Sequence, residues 1–143
     1  MAAPGFGRSS AFERNDLPYS RGYWRFRGRE MEKARTLPDN LRRLLDRLGD
    51  GLAELYGSRY RGLVLHGSYA RGDAGERSDV DLLLLLDGTV DVMQEMDRAQ
   101  DVKWPLALEA GYTVSLIPVS VDDYLRSHEP YLWNARKEGF SVS

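Results

Sequence analysis

Residues 63–86 read LVLHGSYARGDAGERSDVDLLLLL and contain the pattern that decides the fold. A first apolar run leads into Gly67-Ser68, and ten residues later Asp79-Val80-Asp81 opens a second apolar run that ends at Leu86. We interpret each apolar run as a strand. The first strand then passes into a glycine turn, whose backbone can approach a phosphate closely.

The acidic pair Asp79 and Asp81 begins the second strand. Side chains alternate along a strand, so residues two apart point to the same face. Two carboxylates on one strand beside a phosphate-binding turn suit a magnesium–nucleoside triphosphate site. The alternative interpretation is a surface turn followed by a strand whose acidic start is merely solvated.

Residues 66–72, HGSYARG, and residues 78–82, SDVDL, together resemble the signature of the polymerase-beta-type nucleotidyltransferases. The size is similar to that of the minimal nucleotidyltransferases, the MNT family, which includes antitoxins of the MntA type. The resemblance spans about residues 37–139, and its sharp portion is residues 67–81. It implies an α/β (α+β) fold with a small mixed β-sheet and helices packed against it.

The resemblance also implies roles for individual residues. Gly67 would leave room for a nucleotide, and the amide and hydroxyl of Ser68 would hold its phosphate oxygens. Asp79 and Asp81 would be catalytic and would ligate Mg²⁺, with Mn²⁺ as an alternative metal and ATP as the substrate. Arg71 would either neutralise phosphate charge or lock the turn by pairing with a nearby aspartate.

The sequence departs from the family pattern on the third strand. Active members place a third carboxylate there, which completes a second metal site and accepts the proton of the attacking hydroxyl. Residues 111–118, GYTVSLIP, contain no acid, and Ser115 takes the aligned position. Either another group supplies this function, or the chain binds nucleotide with little or no turnover. His66 is a candidate base, although we favour an imidazole packed near the core.

Three functions fit these observations. The first is an enzyme that transfers a nucleoside monophosphate, AMP from ATP, to an acceptor hydroxyl. The resemblance implies a partner of the HEPN type, a helical nuclease toxin that an MNT antitoxin adenylylates on a tyrosine. The second is a module that neutralises a partner by binding alone. The third, an aminoglycoside-modifying enzyme, is disfavoured because such proteins usually carry extra helices for the drug. The sequence specifies neither the nucleotide nor the acceptor.

Periodicity and turn residues predict the remaining elements in the order α-β-α-β-α-β-α. In the helix predicted over residues 89–110, we expect Val92, Met93, Met96, Ala99 and Val102 to face inward, and Pro105 to kink or restart the helix. The predicted elements are a helix from 38 or 39 to 56, a strand at 61–66, a helical turn at 68–72, a strand at 79–86, the helix at 89–110, a strand at 112–119, a helical turn after 120 and a helix from 130 to 139.

The composition of the chain excludes several kinds of functional site. The 143 residues contain no Cys, which excludes disulfides, zinc–thiolate sites and a Cys nucleophile. Residues 31–143 carry a net charge of −5, so we expect no binding of duplex nucleic acid by this part. The apolar runs are too short to cross a bilayer, and we expect a cytoplasmic protein. Association into hetero- or homo-oligomers stays open.

The sequence divides into two parts. Residues 1–30 contain six Arg and three acidic residues among Gly, Ser and isolated aromatics, without usable periodicity. We interpret them as a disordered arm or as the product of a mis-called start before Met31, and an RNA-stacking arm is the less favoured reading. Residues 31–143 form the predicted minimal nucleotidyltransferase domain.

Overall fold

The computed structural model describes residues 33–143, so the predictions for residues 1–30 lie outside it. The sheet and helix order agree with the predicted α-β-α-β-α-β-α pattern, and a short fourth strand is added at the end. The main elements are α1 (Asp39–Tyr56), β1 (Tyr60–His66), α2 (Ser68–Arg71), β2 (Val80–Leu86), α3 (Val92–Ala110), β3 (Val114–Ser120), α4 (Val121–Arg126), α5 (Pro130–Glu138) and β4 (Phe140–Ser141).

The four strands form one mixed sheet in the order β3-β2-β1-β4. Strand β1 runs antiparallel to both β2 and β4, whereas β2 and β3 are parallel. The predicted small mixed sheet is therefore confirmed. Strand β4 was not predicted, because two residues are too few to show a period, and it pairs Phe140 with Leu65 and Ser141 with Val64.

Both faces of the sheet are covered by helices. Leu63, Leu65 and Leu82 belong to a large core that includes five leucines of α1. The alternate residues Val64 and Leu83 belong to a second core that includes α4 and α5. Because neighbouring strand residues point to opposite faces, the continuous apolar runs of β1 and β2 are explained by burial on both sides.

Helix α1 begins and ends where its pattern predicts. Its inward stripe is fully buried: Leu41, Leu44, Leu45, Leu48 and Leu52. A Cβ added to Gly51 would lie 2.7 Å from Cγ1 of Val102 on α3. The glycine therefore permits close packing of α1 on α3, which offsets its low helix propensity.

Helix α3 presents only part of the expected inner face: Ala99 is buried and Val102 packs against the large core, but Val92, Met93 and Met96 are exposed. Met93 is 76% exposed and Met96 is 41% exposed, whereas Glu95 is only 5% exposed. Glu95 accepts a hydrogen bond of 2.9 Å from the hydroxyl of Tyr56 and lies 3.2 Å from a guanidinium nitrogen of Arg59. The paired carboxylate of Glu95 therefore takes the inward position in the first turn of α3. Compared with the predicted orientation, this turn is rotated about the helix axis, and its methionines face outward. The helix also continues through Pro105 without a restart.

Strand β3 forms one edge of the sheet, and its outer side lacks one backbone donor and has one backbone acceptor already occupied. The amide of Val80 donates to the carbonyl of Thr113, so the backbone groups of Thr113 point toward β2. Backbone N–H and C=O groups alternate in direction along a strand, so those of Val114 and Pro118 point away from β2. Pro118 has no N–H, and Lys103 donates to the carbonyl of Val114 at 3.2 Å. Within residues 33–143, no helix is long and apolar enough to cross a membrane.

Candidate active site

The glycine turn after β1 lies directly against the second acid of the motif. Gly67 has φ 75° and ψ −155°, a conformation almost restricted to glycine. A Cβ at this position would overlap with Oδ2 of Asp81 and would lie 3.0 Å from its Cγ. The missing side chain of Gly67 is therefore what allows the turn and the Asp81 carboxylate to meet.

Three polar residues form a row across the sheet beside this turn. The register pairs His66 of β1 with Asp81 of β2, and Asp81 with Ser115 of β3. Paired residues share a face, and the alternation puts this row on the face that α4 and α5 cover. Strand β3 contributes no acid to the row, since Ser115 lies where a third carboxylate would adjoin Asp81.

The two acids have different surroundings. Asp81 lies within β2 and is half-buried, whereas Asp79 is exposed and precedes the strand, which begins at Val80. Burial raises the pKa of Asp81 above its usual range, and the charge of Asp79 acts in the same direction against the opposing effects of His66 and Arg71. Neither carboxylate forms an ion pair within residues 33–143.

The loop between α2 and β2 ends in a turn that Ser78 shapes. Its hydroxyl accepts a hydrogen bond from the amide of Gly75 at 2.8 Å, and its own amide donates to the carbonyl of Gly75 at 3.1 Å. These two hydrogen bonds close the turn that precedes β2. Asp79 leaves the turn immediately afterwards, which explains its exposure.

Ser68 and Arg71 are the first and last residues of α2. The Ser68 hydroxyl forms no hydrogen bond within the described part of the chain. Arg71 lies 3.3 Å from an oxygen of Asp73 and 3.2 Å from an oxygen of Glu138. Pairing with Asp73 agrees with the interpretation of Arg71 as a lock on the turn, and its half-exposed guanidinium also remains next to Gly67.

Glu138 is a site residue that sequence reasoning missed. It is the last residue of α5, and its Oε2 accepts hydrogen bonds from the Gly67 amide and from Arg71, each of 3.2 Å. No local motif identifies it, because it is 71 residues away from Gly67 in the chain. The one sequence feature that could have indicated its position is Gly139, which ends α5 and lies against β1.

The His66 imidazole lies next to the acids but makes no hydrogen bond through Nε2, which is buried and has no partner among the described residues. Burial lowers the pKa of His66, while the charges of Asp81 and Glu138 oppose this effect. Because desolvation is the largest influence, the surroundings favour the neutral imidazole, as expected of a side chain packed near the core.

The two acids meet the requirements of a magnesium ion that takes its remaining ligands from phosphates and water. Residues 33–143 contain no group of three or more His, Cys, Asp or Glu side chains that could hold a metal on their own. Magnesium, however, is commonly bound by one or two carboxylates together with substrate phosphates and water. Asp79 and Asp81, two hard oxygen donors that form no ion pair within residues 33–143, fit that arrangement.

Comparison with known proteins identifies a family and two curated relatives. The sequence model described as a nucleotidyltransferase domain matches residues 39–137. The bifunctional uridylyltransferase/uridylyl-removing enzyme of Streptomyces coelicolor is 41% identical over 91 residues, 58% of this chain and 11% of that protein. A Methanocaldococcus jannaschii protein named "Putative protein adenylyltransferase" is 37% identical over 68 residues, 48% of this chain and 62% of its own length. The chain thus spans less than two thirds of either relative.

Among solved structures, the fold is similar to one described as "Crystal structure of the toxin-antitoxin with AMP-PNP". The TM-score is 0.48 and the sequence identity is 21%, with 74% of this chain and 73% of that chain covered.

Proposed function

Because this chain belongs to the nucleotidyltransferase domain family, we propose that it transfers AMP from ATP to a hydroxyl group of an acceptor protein. The observation that carries this proposal is the contact between Gly67 and Asp81, which brings the backbone amides of the glycine turn and a carboxylate without an ion pair to one point. A nucleotide needs both groups at once, since its phosphates seek N–H donors and its metal seeks carboxylate oxygens.

In this proposal, the residues position a triphosphate for in-line attack. The amide of Gly67 and the amide and hydroxyl of Ser68 bind the β- and γ-phosphates, and Arg71 neutralises part of their charge. Asp79 and Asp81 hold Mg²⁺, which, when bound, neutralises charge on the phosphates. The acceptor oxygen forms a bond to the α-phosphorus, the bond to the pyrophosphate oxygen breaks, and the hydroxyl proton leaves to a base or to water.

The proton acceptor distinguishes this site from the family pattern. Ser115 pairs with Asp81 but, unlike a carboxylate, does not accept a proton near neutral pH. We therefore expect slow transfer, with Asp81 itself, the acceptor protein or water receiving the proton. General base catalysis typically contributes 10²- to 10⁴-fold, so its loss reduces the rate without abolishing the reaction.

The proposed acceptor is a tyrosine on a HEPN-type helical toxin, for which this chain would be the antitoxin. The name of the Methanocaldococcus relative supports a protein acceptor, and the uridylyltransferase relative has a name of the same reaction class. Both relatives match over only part of their lengths, so the partner is a proposal that an acceptor assay must test.

A second candidate function is neutralisation of a partner by complex formation alone. The observation that favours it is the row His66–Asp81–Ser115, which lacks the third acid of an active site. If binding alone is the function, a complex with the partner survives the double substitution Asp79→Ala and Asp81→Ala. If transfer is the function, that double variant no longer modifies the partner.

The decisive experiment uses ATP labelled at the α-phosphate, MgCl₂ and the protein encoded by the neighbouring gene as the first acceptor. We expect Asp81→Asn to lower label transfer at least about 100-fold, because it removes a charged hard ligand. Asp87→Asn is the matched control, since Asp87 follows the opposite end of β2 and pairs with Arg61. Equal transfer by wild type and Asp81→Asn would refute the proposal.

A further inference from the structure

The carboxylate of Glu138 lies where an anion is expected to bind. Its Oε2 accepts a hydrogen bond from the backbone amide of Gly67 and another from Nη1 of Arg71, both 3.2 Å long. A backbone N–H and a guanidinium that converge on one oxygen atom form the donor set that proteins use for phosphate oxygens. We propose that Glu138 occupies the phosphate subsite of the glycine turn and competes with the nucleotide for it.

This inference rests on the proposed function, because it treats the Gly67 turn as the phosphate-binding element. In the free protein, the donors of this turn are already occupied by the carboxylate of Glu138. A triphosphate must then displace Glu138 from two hydrogen bonds before it binds. Glu138 thereby sets the affinity for the nucleotide.

The backbone of Glu138 is held in place, whereas its side chain is able to leave. A Cβ at Gly139 would lie 2.5 Å from the carbonyl oxygen of Ala135 and 2.8 Å from that of Leu65, so the end of α5 packs tightly against β1. The Glu138 side chain itself is 28% exposed. Rotation of this side chain into solvent frees the amide and the guanidinium without moving α5.

A competing interpretation makes Glu138 the replacement for the missing third carboxylate. The described residues contain no group of three acids or histidines that could hold a metal, which argues against Glu138 as a ligand together with Asp79 and Asp81. The Oε2 atom of Glu138 instead accepts hydrogen bonds from the Gly67 amide and the Arg71 guanidinium. The two roles predict opposite effects on nucleotide binding when the charge of Glu138 is removed, so an experiment can distinguish them.

The test measures the binding of ATP and of inorganic tripolyphosphate to the full chain by calorimetry, with and without Mg²⁺. We expect Glu138→Ala to tighten binding of both probes about tenfold, and Glu138→Gln to tighten it less, because an amide oxygen still accepts from Gly67. The control is Asp73→Asn, which also removes one negative charge and one contact to Arg71 but leaves the Gly67 amide occupied. We expect it to change binding less than threefold.

The outcomes distinguish a failure of this inference from a failure of the proposed function. Tighter binding by both Glu138 variants, with Asp73→Asn near wild type, supports the inference. Binding that is unchanged, or that weakens only in the presence of Mg²⁺, overturns it and leaves the proposed function standing. If neither wild type nor any variant binds either probe, the phosphate subsite does not exist, and both proposals fail together. Circular dichroism and thermal unfolding of each variant establish that a change in binding is not a loss of fold.

Discussion

Substitution of Gly67 by Ala tests whether the turn and the Asp81 carboxylate meet as described. The backbone at Gly67, with φ 75° and ψ −155°, is in a region where a non-glycine residue costs about 1–3 kcal/mol. The added methyl group also overlaps with the Asp81 carboxylate, and overpacking of this kind costs about 1–3 kcal/mol more. Together these effects predict a loss of about 2–6 kcal/mol in the free energy of unfolding.

Gly72→Ala is the matched control for this prediction. Gly72 also has a positive φ, 87°, but a Cβ there would meet nothing within 4 Å. We therefore expect only the strain of a left-handed residue, about 1–2 kcal/mol. Urea unfolding of both variants, followed by circular dichroism, measures the difference directly.

Activity gives the second measurement. If the Asp81 side chain swings away to relieve the overlap, the stability cost of Gly67→Ala falls, but the carboxylate loses its position. A misplacement of about 1 Å can cost about 100-fold in rate, so label transfer should fall in either case. Equal stability and equal transfer for Gly67→Ala and Gly72→Ala would refute the contact between the turn and Asp81.

Three further predictions concern the stability of the fold. Glu95→Ala should lower the free energy of unfolding by about 1–3 kcal/mol because it removes the carboxylate that accepts hydrogen bonds from the Tyr56 hydroxyl and from Arg59. Glu109→Ala, which breaks an exposed ion pair, should change it by less than about 0.5 kcal/mol, and urea unfolding checks both. Gly139→Ala should lower the melting temperature by several degrees because its Cβ has no space against two carbonyl oxygens, whereas Gly75→Ala, with nothing within 4 Å, should not. Asp81→Asn should leave stability unchanged or slightly raised, since it replaces a partly buried, unpaired carboxylate, and a loss above about 2 kcal/mol in urea unfolding would contradict that reasoning.

The parts of the fold that follow from periodic patterns were predictable. The leucine stripe of α1 and the apolar runs of β1 and β2 depend on burial of side chains at a fixed spacing, which the sequence displays directly. The position of Ser115 beside Asp81 also agrees with the sequence interpretation, because the third strand was recognised and its register follows from the parallel pairing.

The errors have a common physical cause. The inner face of α3 was assigned by hydropathy, which places methionine inside and glutamate outside. Glu95 is buried because Tyr56 and Arg59, on a different part of the chain, satisfy its carboxylate, and the face turns accordingly. Pairing between distant residues is invisible to a local pattern.

The same cause hid Glu138 from the sequence interpretation of the site. Its importance arises from α5 and β4 folding back beside β1, an arrangement that involves residues at the far end of the chain. The acidic motif, by contrast, was visible because its members are neighbours in sequence. Asp79 still differs from the prediction in one respect, since it precedes β2 instead of belonging to it.

The outer edge of β3 has a consequence for how another molecule can be held. Main-chain recognition, in which an incoming peptide extends a sheet, requires an unbroken ladder of donors and acceptors. Pro118 interrupts that ladder, and Lys103 already uses the Val114 carbonyl, so this border resists fibril-like stacking and strand capture. A partner that approaches this edge must be bound through side chains. The selectivity of binding there is then determined by the chemistry of the surface side chains instead of by backbone geometry.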